Sequence, residues 1–314
     1  MAAIELDGVT KRYGGGLSGR SEPVAALSNL DLTVREGDIY GFLGPNGAGK
    51  STTINVLLDF VRPTAGSARV LDLDARTESQ RVRERVGVLP EGFSPYDRLT
   101  GRQHLDFAIE SKNADDDPAD IAERVGIADA IDRTAGGYSK GMAQRLVLGM
   151  ALIGEPDLLI LDEPSTGLDP NGAREMRDIV RAERDRGATV FFSSHVLGQV
   201  EPVCDRVGIL RDGELVAEDT VEGLREAAGS GTTLVIDVER LPDDAVAAVR
   251  ALDGVSTVEA DDQRLTVDCA DGAKTTVLST LEDNGVPVAD FDTVGGSLEE
   301  VFASYTTDEQ EARA

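Results

Sequence analysis

The chain has 314 residues, and 58 acidic against 31 basic side chains give it a formal net charge of −27. That length supports one large core and a small second domain, while no apolar run approaches the ~18 residues a membrane span needs. The charge disfavours nucleic acid and anionic membrane surfaces as direct partners, or else marks a salt-rich cytoplasm in which screening shortens its reach.

The first ten residues alternate as a strand rather than as a leader, which predicts a soluble intracellular chain. Residues 3–10 and 24–34 read as two paired strands, with Ile4 and Leu6, then Leu30, Leu32 and Val34, alternating with polar residues. Tyr13 ends the first strand before a Gly/Ser-rich loop over 14–23, expected to be mobile. It reads either as edge packing or as a flat surface for an adenine ring. A short apolar run, 39–43, precedes Gly44-Pro45-Asn46-Gly47-Ala48-Gly49-Lys50-Ser51-Thr52, and a helical pattern over 50–60 follows. This is G-x-x-x-x-G-K-[ST] in its strand–loop–helix setting. Glycines let the backbone curl round a phosphate, the helix N-terminus adds positive potential, Lys50 reaches the outer phosphates, and the Ser51 hydroxyl suits Mg²⁺.

Downstream, 67–71 returns as a strand, 78–85 is an Arg-rich amphipathic stretch, and 86–91 is a short buried strand ending in Pro90-Glu91. Residues 92–153 read as a helical subdomain, with a polar break at 112–120 and a helix over 118–126. The acid run Asp115–Asp117 reads as a solvated loop, and His104 as a surface or partly packed residue. Gly136 and Gly137 make a turn, and Ser139 suits the N-cap of a long helix. Residues 157–164 are a continuous apolar strand ending in Asp162 and Glu163, as in a parallel sheet buried on both faces. Such strands bind ligands at their carboxyl ends. Asp162 is therefore expected to hold Mg²⁺ and Glu163 to polarise an attacking water. Helix 170–186, strand 188–193, His195, helix 196–203, strand 206–210 and a hairpin at 211–214 complete a doubly wound α/β P-loop domain over 1–226. His195 is expected near the same crevice.

The two cysteines, Cys204 and Cys269, lack metal-ligand spacing and read as small buried hydrophobes. Residues 227–232 read as a linker. Beyond it, over 233–314, strands and helices follow in βαββαβ order, a ferredoxin-like α+β domain, with an amphipathic terminal helix over 297–305.

Taken in order, these motifs resemble the ATP-binding subunits of ABC transporters over residues 3–225. Tyr13 matches the adenine-stacking aromatic, and residues 44–52 match Walker A. Glu91 stands where the family has the Q-loop Gln, and 138–142, Tyr-Ser-Lys-Gly-Met, where it has the signature. Residues 158–163 match Walker B, 165–169 the D-loop ending in Asp169, and His195 the switch histidine. The resemblance implies an ATPase using ATP and Mg²⁺. It implies a head-to-tail dimer, of identical chains or with a paralogue, in which Ser139 and Gly141 of one protomer meet the nucleotide of the other. It further implies a separate permease whose coupling helix is received by the helical segment 92–135, beside Glu91, on the cytoplasmic face of the membrane. Lys140, Met142 and Glu91 depart from the common residues and resemble the exporter-like subfamily. A soluble ATPase acting on ribosomes or DNA fits less well, since the chain has one nucleotide domain and no long coiled coil.

Overall fold

The computed structural model describes residues 1–14, 24–227, 231–261 and 263–295. The chain forms two compact units, Met1–Val221 and Glu222–Ala314.

The first unit begins with β1 (Ala2–Tyr13) and β2 (Val24–Arg35), which pair antiparallel. The chain continues through β3 (Ile39–Leu43), α1 (Lys50–Leu57), β4 (Ala65–Val70), β5 (Leu73–Asp74), α2 (Ser79–Arg85) and β6 (Val86–Leu89). Strands β2, β1, β4 and β5 make one antiparallel sheet in that order. The helical part follows: α3 (Gly101–Lys112), α4 (Pro118–Arg124) and α5 (Lys140–Leu152). Then come β7 (Leu158–Asp162), α6 (Pro170–Arg186), β8 (Thr189–Ser194), α7 (Leu197–Val200), β9 (Arg206–Arg211) and β10 (Glu214–Thr220).

The second sheet decides the function. Its order is β10-β9-β3-β8-β7-β6. Five strands run parallel, and β10 closes the edge antiparallel to β9. Every residue of β3, β7 and β8 is buried, which fits strands covered on both faces. Phe191 packs on this sheet against Tyr40, 5.9 Å away with the rings nearly parallel, and against Phe42, 5.1 Å away and tilted by 38°. The order β3-β8-β7 places the segments after three strands side by side at their carboxyl ends.

Two Arg–Glu contacts join the helical part to α6. Arg124 of α4 meets the fully buried Glu183, and Arg145 of α5 meets Glu175 at 2.6 Å. Arg186 covers the second oxygen of Glu183 at 2.8 Å, so this buried carboxylate is paired on both oxygens.

Several expectations shift. Helix α1 ends at Leu57 and α7 spans only Leu197–Val200, not 196–203. His104 is not a surface residue: it is 3% exposed. Its Nδ1 donates to the Thr100 carbonyl at 2.8 Å, and its Nε2 accepts from the Tyr96 backbone N–H at 2.9 Å. With both ring nitrogens satisfied, burial carries little penalty. In the acid run, Asp117 caps α4 and Asp116 accepts from the Gly154 N–H, so two of the three carboxylates build turns.

The second unit is reached through α8 (Val221–Ala227), so the expected linker over 227–232 is cut at both ends by helix and strand. It contains β11 (Gly231–Val238), α9 (Asp243–Arg250), β12 (Val255–Asp261), β13 (Arg264–Ala270), α10 (Lys274–Asp283) and β14 (Val288–Gly295). The sheet order is β14-β11-β13-β12, all antiparallel, which is the ferredoxin-like arrangement. Leu234, Ile236, Leu265 and Val267 on one face form its core with Val249, Val277 and Leu281. The expected terminal helix over 297–305 and the loop over 15–23 lie outside the described residues.

Candidate functional site

The loop between β3 and α1 is a tight cradle. Gly49, the N-cap of α1, has φ +113°, a conformation few side chains tolerate. A Cβ there would stand 2.6 Å from the Ala26 carbonyl, and one at Gly44 would stand 2.4 Å from the Leu210 carbonyl. The loop is thus clamped between β2 and β9 and has no room for a larger residue at either point. Asn46 and Gly47 remain exposed at its tip. The Lys50 ammonium is 7% exposed and folds into the loop, donating to the carbonyls of Gly44 at 2.7 Å and Pro45 at 3.3 Å. Incoming phosphate oxygens are stronger acceptors than these carbonyls.

Two strands away, β7 delivers Asp162 and Glu163, 4% and 5% exposed. Asp162 accepts a hydrogen bond from Ser193 of β8. Burial pushes its carboxyl above the usual range. Glu91 nearby adds to that, while hydrogen bonds from Ser193 and Ser51 and the Lys50 charge pull it back. A buried carboxylate beside the Ser51 hydroxyl is a hard-oxygen donor pair suited to Mg²⁺, which takes one or two carboxylates and completes its shell with substrate phosphates and water. Among the described residues no cluster of three or more His, Cys, Asp or Glu could hold a metal by itself. Glu91 is exposed.

Glu163 leaves the strand with φ +49°, a left-handed conformation rare for a side chain of its size. Its backbone N–H is held by the Ser193 carbonyl at 3.1 Å. That turn brings Oε1 to 2.8 Å from Nδ1 of His195 and 3.7 Å from Nζ of Lys50. A carboxylate only accepts, so Nδ1 carries the hydrogen. His195, just after β8, is half-exposed. The chemistry of three strands that are distant in sequence but adjacent in the sheet therefore meets here: a cation, a carboxylate and an imidazole.

Tyr13 pairs with Val24, two residues before the Ala26 carbonyl that backs Gly49. Its ring is 42% exposed, with the Lys11 ammonium 4.8 Å from its centroid. Ser139, Gly141 and Asp169 gather elsewhere. They line a groove with Lys140, Met142 and Gly167, and no P-loop residue lines it. Ser139 caps α5 by accepting from the Met142 N–H, and Asp169 caps α6 by accepting from the Gly172 N–H at 2.7 Å.

Sequence reasoning did not single out Ser193, Ser194 or Gln199, which support the two carboxylates. The signal was a Ser-Ser pair directly before His195. A third surface was only partly foreseen. Residues 92–135 supply Phe93 and Phe107 to an apolar groove, but Leu58, Phe60, Val147 and Met150 come from outside that segment. Phe60 and Phe107 are 65% and 66% exposed.

A nucleotide cradle at the carboxyl end of a parallel sheet, with an acid pair on a strand two places away, defines a P-loop ATPase. The ABC transporter family model matches residues 27–166. A daunorubicin resistance ATP-binding protein of Streptomyces coeruleorubidus, DrrA2, is 34% identical over 97% of this chain and 95% of its own. The bacitracin transport ATP-binding protein BcrA of Bacillus licheniformis is 38% identical over 71% of each chain. Among solved structures, an ATP-binding subunit of an ABC transporter matches with TM-score 0.63 at 25% identity, over 72% of this chain and 93% of that one. A dimeric ATP-binding cassette in a post-hydrolysis state with ADP and Pi shares the fold, with TM-score 0.64 at 22% identity over 69% and 98%. The chain belongs to the family of ATP-binding subunits of ABC transporters. It is an ATPase of that family, binding ATP with Mg²⁺ and working with a separate permease through which such subunits associate with the membrane. Among the described residues no helix is long and apolar enough to cross a membrane.

Proposed function

We propose that the site after β3, β7 and β8 hydrolyses ATP, and that hydrolysis drives export of an amphiphilic compound through a permease docked on the cytoplasmic face of the membrane. Support for export comes from relatives named for daunorubicin resistance, bacitracin transport and fluoroquinolone export. The observation that carries the catalytic reading is Glu163 Oε1, held 2.8 Å from His195 Nδ1 and 3.7 Å from Lys50 Nζ at the mouth of the cradle.

In this reading Gly44, Pro45, Asn46, Gly47, Ala48, Gly49, Lys50, Ser51 and Thr52 bind the phosphates, and Tyr13 receives the adenine. Ser51 and Asp162 would hold Mg²⁺, with Glu91 as a nearby acceptor; the ion would supply charge neutralisation on the phosphates. Glu163 orients the attacking water and accepts its proton, with His195 fixed by Nδ1 and its other nitrogen left for the terminal phosphate. Lys50 gives up its loop carbonyls to the phosphates and compensates their charge.

Ser139, Gly141 and Asp169 complete the site of a second copy or of a paralogue. Their separation from the P-loop within one chain supports that assignment, because an exposed helix N-terminus has no phosphate source of its own here. The apolar groove around Phe60, Phe93 and Phe107 receives a cytoplasmic helix of the permease. Its two basic wall residues are already committed, Arg83 to the Leu58 carbonyl and Lys112 to the Val86 carbonyl, so recognition there is mainly apolar.

The test is Glu163→Gln, expressed with its own membranes at native salt. ATP should trap a dimer that co-purifies with a polytopic membrane protein. A monomer with ATP, or recovery with ribosomes or nucleic acid alone, would overturn the reading.

A further inference from the structure

Behind Glu163 lies a small hydroxyl–amide network, of which only Ser165 belongs to one of the site motifs. Gln199, on the short helix α7, presents one oxygen to two hydroxyls. Ser165 donates to its Oε1 at 2.5 Å, and Ser194 is 3.1 Å from the same atom. Ser165 and Ser194 are 5% and 0% exposed, and Gln199 itself is partly buried. The Ser194 hydroxyl also lies 3.3 Å from Glu163 Oε2, and it accepts the backbone N–H of Val196, the residue after His195.

These contacts join the loop after Glu163, the end of β8 and the short helix α7. Ser165 opens the loop that continues through Gly167, Leu168 and Asp169, the residues that share a groove with the signature helix. That loop starts from Glu163, since the Thr166 N–H donates to the Glu163 carbonyl at 3.1 Å, and it closes when the Leu168 N–H donates to the Ser165 carbonyl at 3.1 Å. Ser194 ends β8 and holds both the Glu163 carboxylate and the turn carrying His195. Gln199 is the side chain that touches the loop on one side and the Glu163–His195 support on the other.

The direction of each hydrogen follows from chemistry. Ser194 Oγ already accepts from Val196, so its single proton goes to Gln199 or to Glu163, both of which can accept. A displacement of Ser165 away from Gln199 leaves that oxygen to Ser194 alone. The Ser194 proton and the side-chain position of Glu163 then change with the loop. Buried networks of this kind transmit position because each member has few alternative partners.

We infer that Gln199 is a positioning residue for ATP hydrolysis: its side-chain oxygen, accepting from Ser165 and Ser194, fixes the Glu163 carboxylate according to the placement of the 165–169 loop. The inference rests on the assignment of Glu163 as the group that orients water. It goes beyond that assignment by making the loop facing the second nucleotide-binding chain a control on this one.

The test uses the full chain with Mg²⁺ and ATP, measured as kcat and KM. Gln199→Met keeps the length of the side chain and removes the acceptor; kcat should fall about tenfold, as for a displaced reacting group, with KM for ATP unchanged. Gln199→Glu keeps an acceptor oxygen at the same reach and should recover most of kcat. Ser165→Ala should lose rate similarly, and the double variant Ser165→Ala with Gln199→Met should be no slower than Gln199→Met alone, because Gln199→Met already removes the Ser165 contact. Unchanged kcat in Gln199→Met overturns the inference. So do additive losses, or a Gln199→Glu variant as slow as Gln199→Met. Thermal melts of each variant separate misfolding from mispositioning, and Gln199→Asn, too short to span both hydroxyls, replaces Gln199→Met if that chain does not fold. Glu163→Gln is run alongside: if it retains rate, the assignment of Glu163 fails, whereas an inactive Glu163→Gln with unaffected Gln199 variants removes only the role of Gln199.

Discussion

Phe107 offers the sharpest test of how the ATPase meets its permease. The ring sits on α3 over the apolar groove and is 66% exposed. A phenylalanine buries about 150–250 Å² when fully enclosed, so docking would remove roughly 130 Å² of this ring from water. At 25 cal/mol per Å² that burial is worth about 3 kcal/mol. Phe107→Ala should therefore weaken binding to the permease by about two orders of magnitude. Because most of the ring faces solvent in the free chain, the melting temperature should stay within a few degrees, and ATP hydrolysis by the ATPase alone should be unaffected. The assay is the affinity of the tagged ATPase for permease reconstituted in nanodiscs, read beside ATPase activity and a thermal melt. Undiminished affinity would refute the docking site. A parallel loss of stability would show that Phe107 belongs to the core instead.

Other outcomes test the cradle and the two units. Lys50→Ala should abolish ATP binding, and unchanged nucleotide affinity by fluorescence titration would remove the phosphate-binding role of residues 44–52. Gly49→Ala adds a methyl 2.6 Å from the Ala26 carbonyl at φ +113°, a strain of about 1–3 kcal/mol before any shift of the loop, so nucleotide affinity should drop with it. Chelation of divalent metal should leave nucleotide bound through Lys50 and the loop and stop phosphate release, because the Asp162 carboxylate and the Ser51 hydroxyl carry no positive charge to replace the ion's effect on the phosphates. A chain ending at Ala227 should still bind ATP, and an insoluble product would show that the second unit completes the core of the first.

The sequence carried the site where the chemistry is local. Residues 44–52, Asp162, Glu163 and His195 each announce themselves by spacing against an apolar strand, and the sheet order β3-β8-β7 then makes them neighbours. The second unit was also legible, because its alternation of short strands and helices admits few topologies. What stayed hidden depends on contacts across space. His104 reads as an unremarkable helical residue until Tyr96 and Thr100 are found on its two nitrogens. Gln199 has no spacing signal, since its partners lie 34 and 5 residues away. The apolar groove was hidden in part for the same reason: Phe60 follows α1 and Met150 lies on α5, and they line one groove with Val86 and Val88 only in the folded chain.

The acid balance of the chain bears on the dimer in a way the site geometry alone does not. Each copy carries a formal charge of −27, so two copies approaching face to face repel through solvent. If Ser139, Gly141 and Asp169 complete the site of a second copy as proposed, the faces that meet are the nucleotide cradle and the groove of Ser139, Lys140, Gly141 and Asp169, and bound nucleotide adds further negative charge to one of them. Lys140 and the N-terminus of α5 offset part of this locally. The long-range part is removed only by screening, whose reach falls from about 10 Å at 0.1 M salt to about 3 Å at 1 M. The ATP-trapped dimer of Glu163→Gln should therefore tighten as salt rises over that range, opposite to an interface held by exposed ion pairs. Analytical ultracentrifugation at fixed ATP and increasing KCl reads this directly. A dimer that loosens with salt would mean that local charge pairs across the interface outweigh the net repulsion, and that Lys140 contributes more to closure than the apolar and backbone contacts around it.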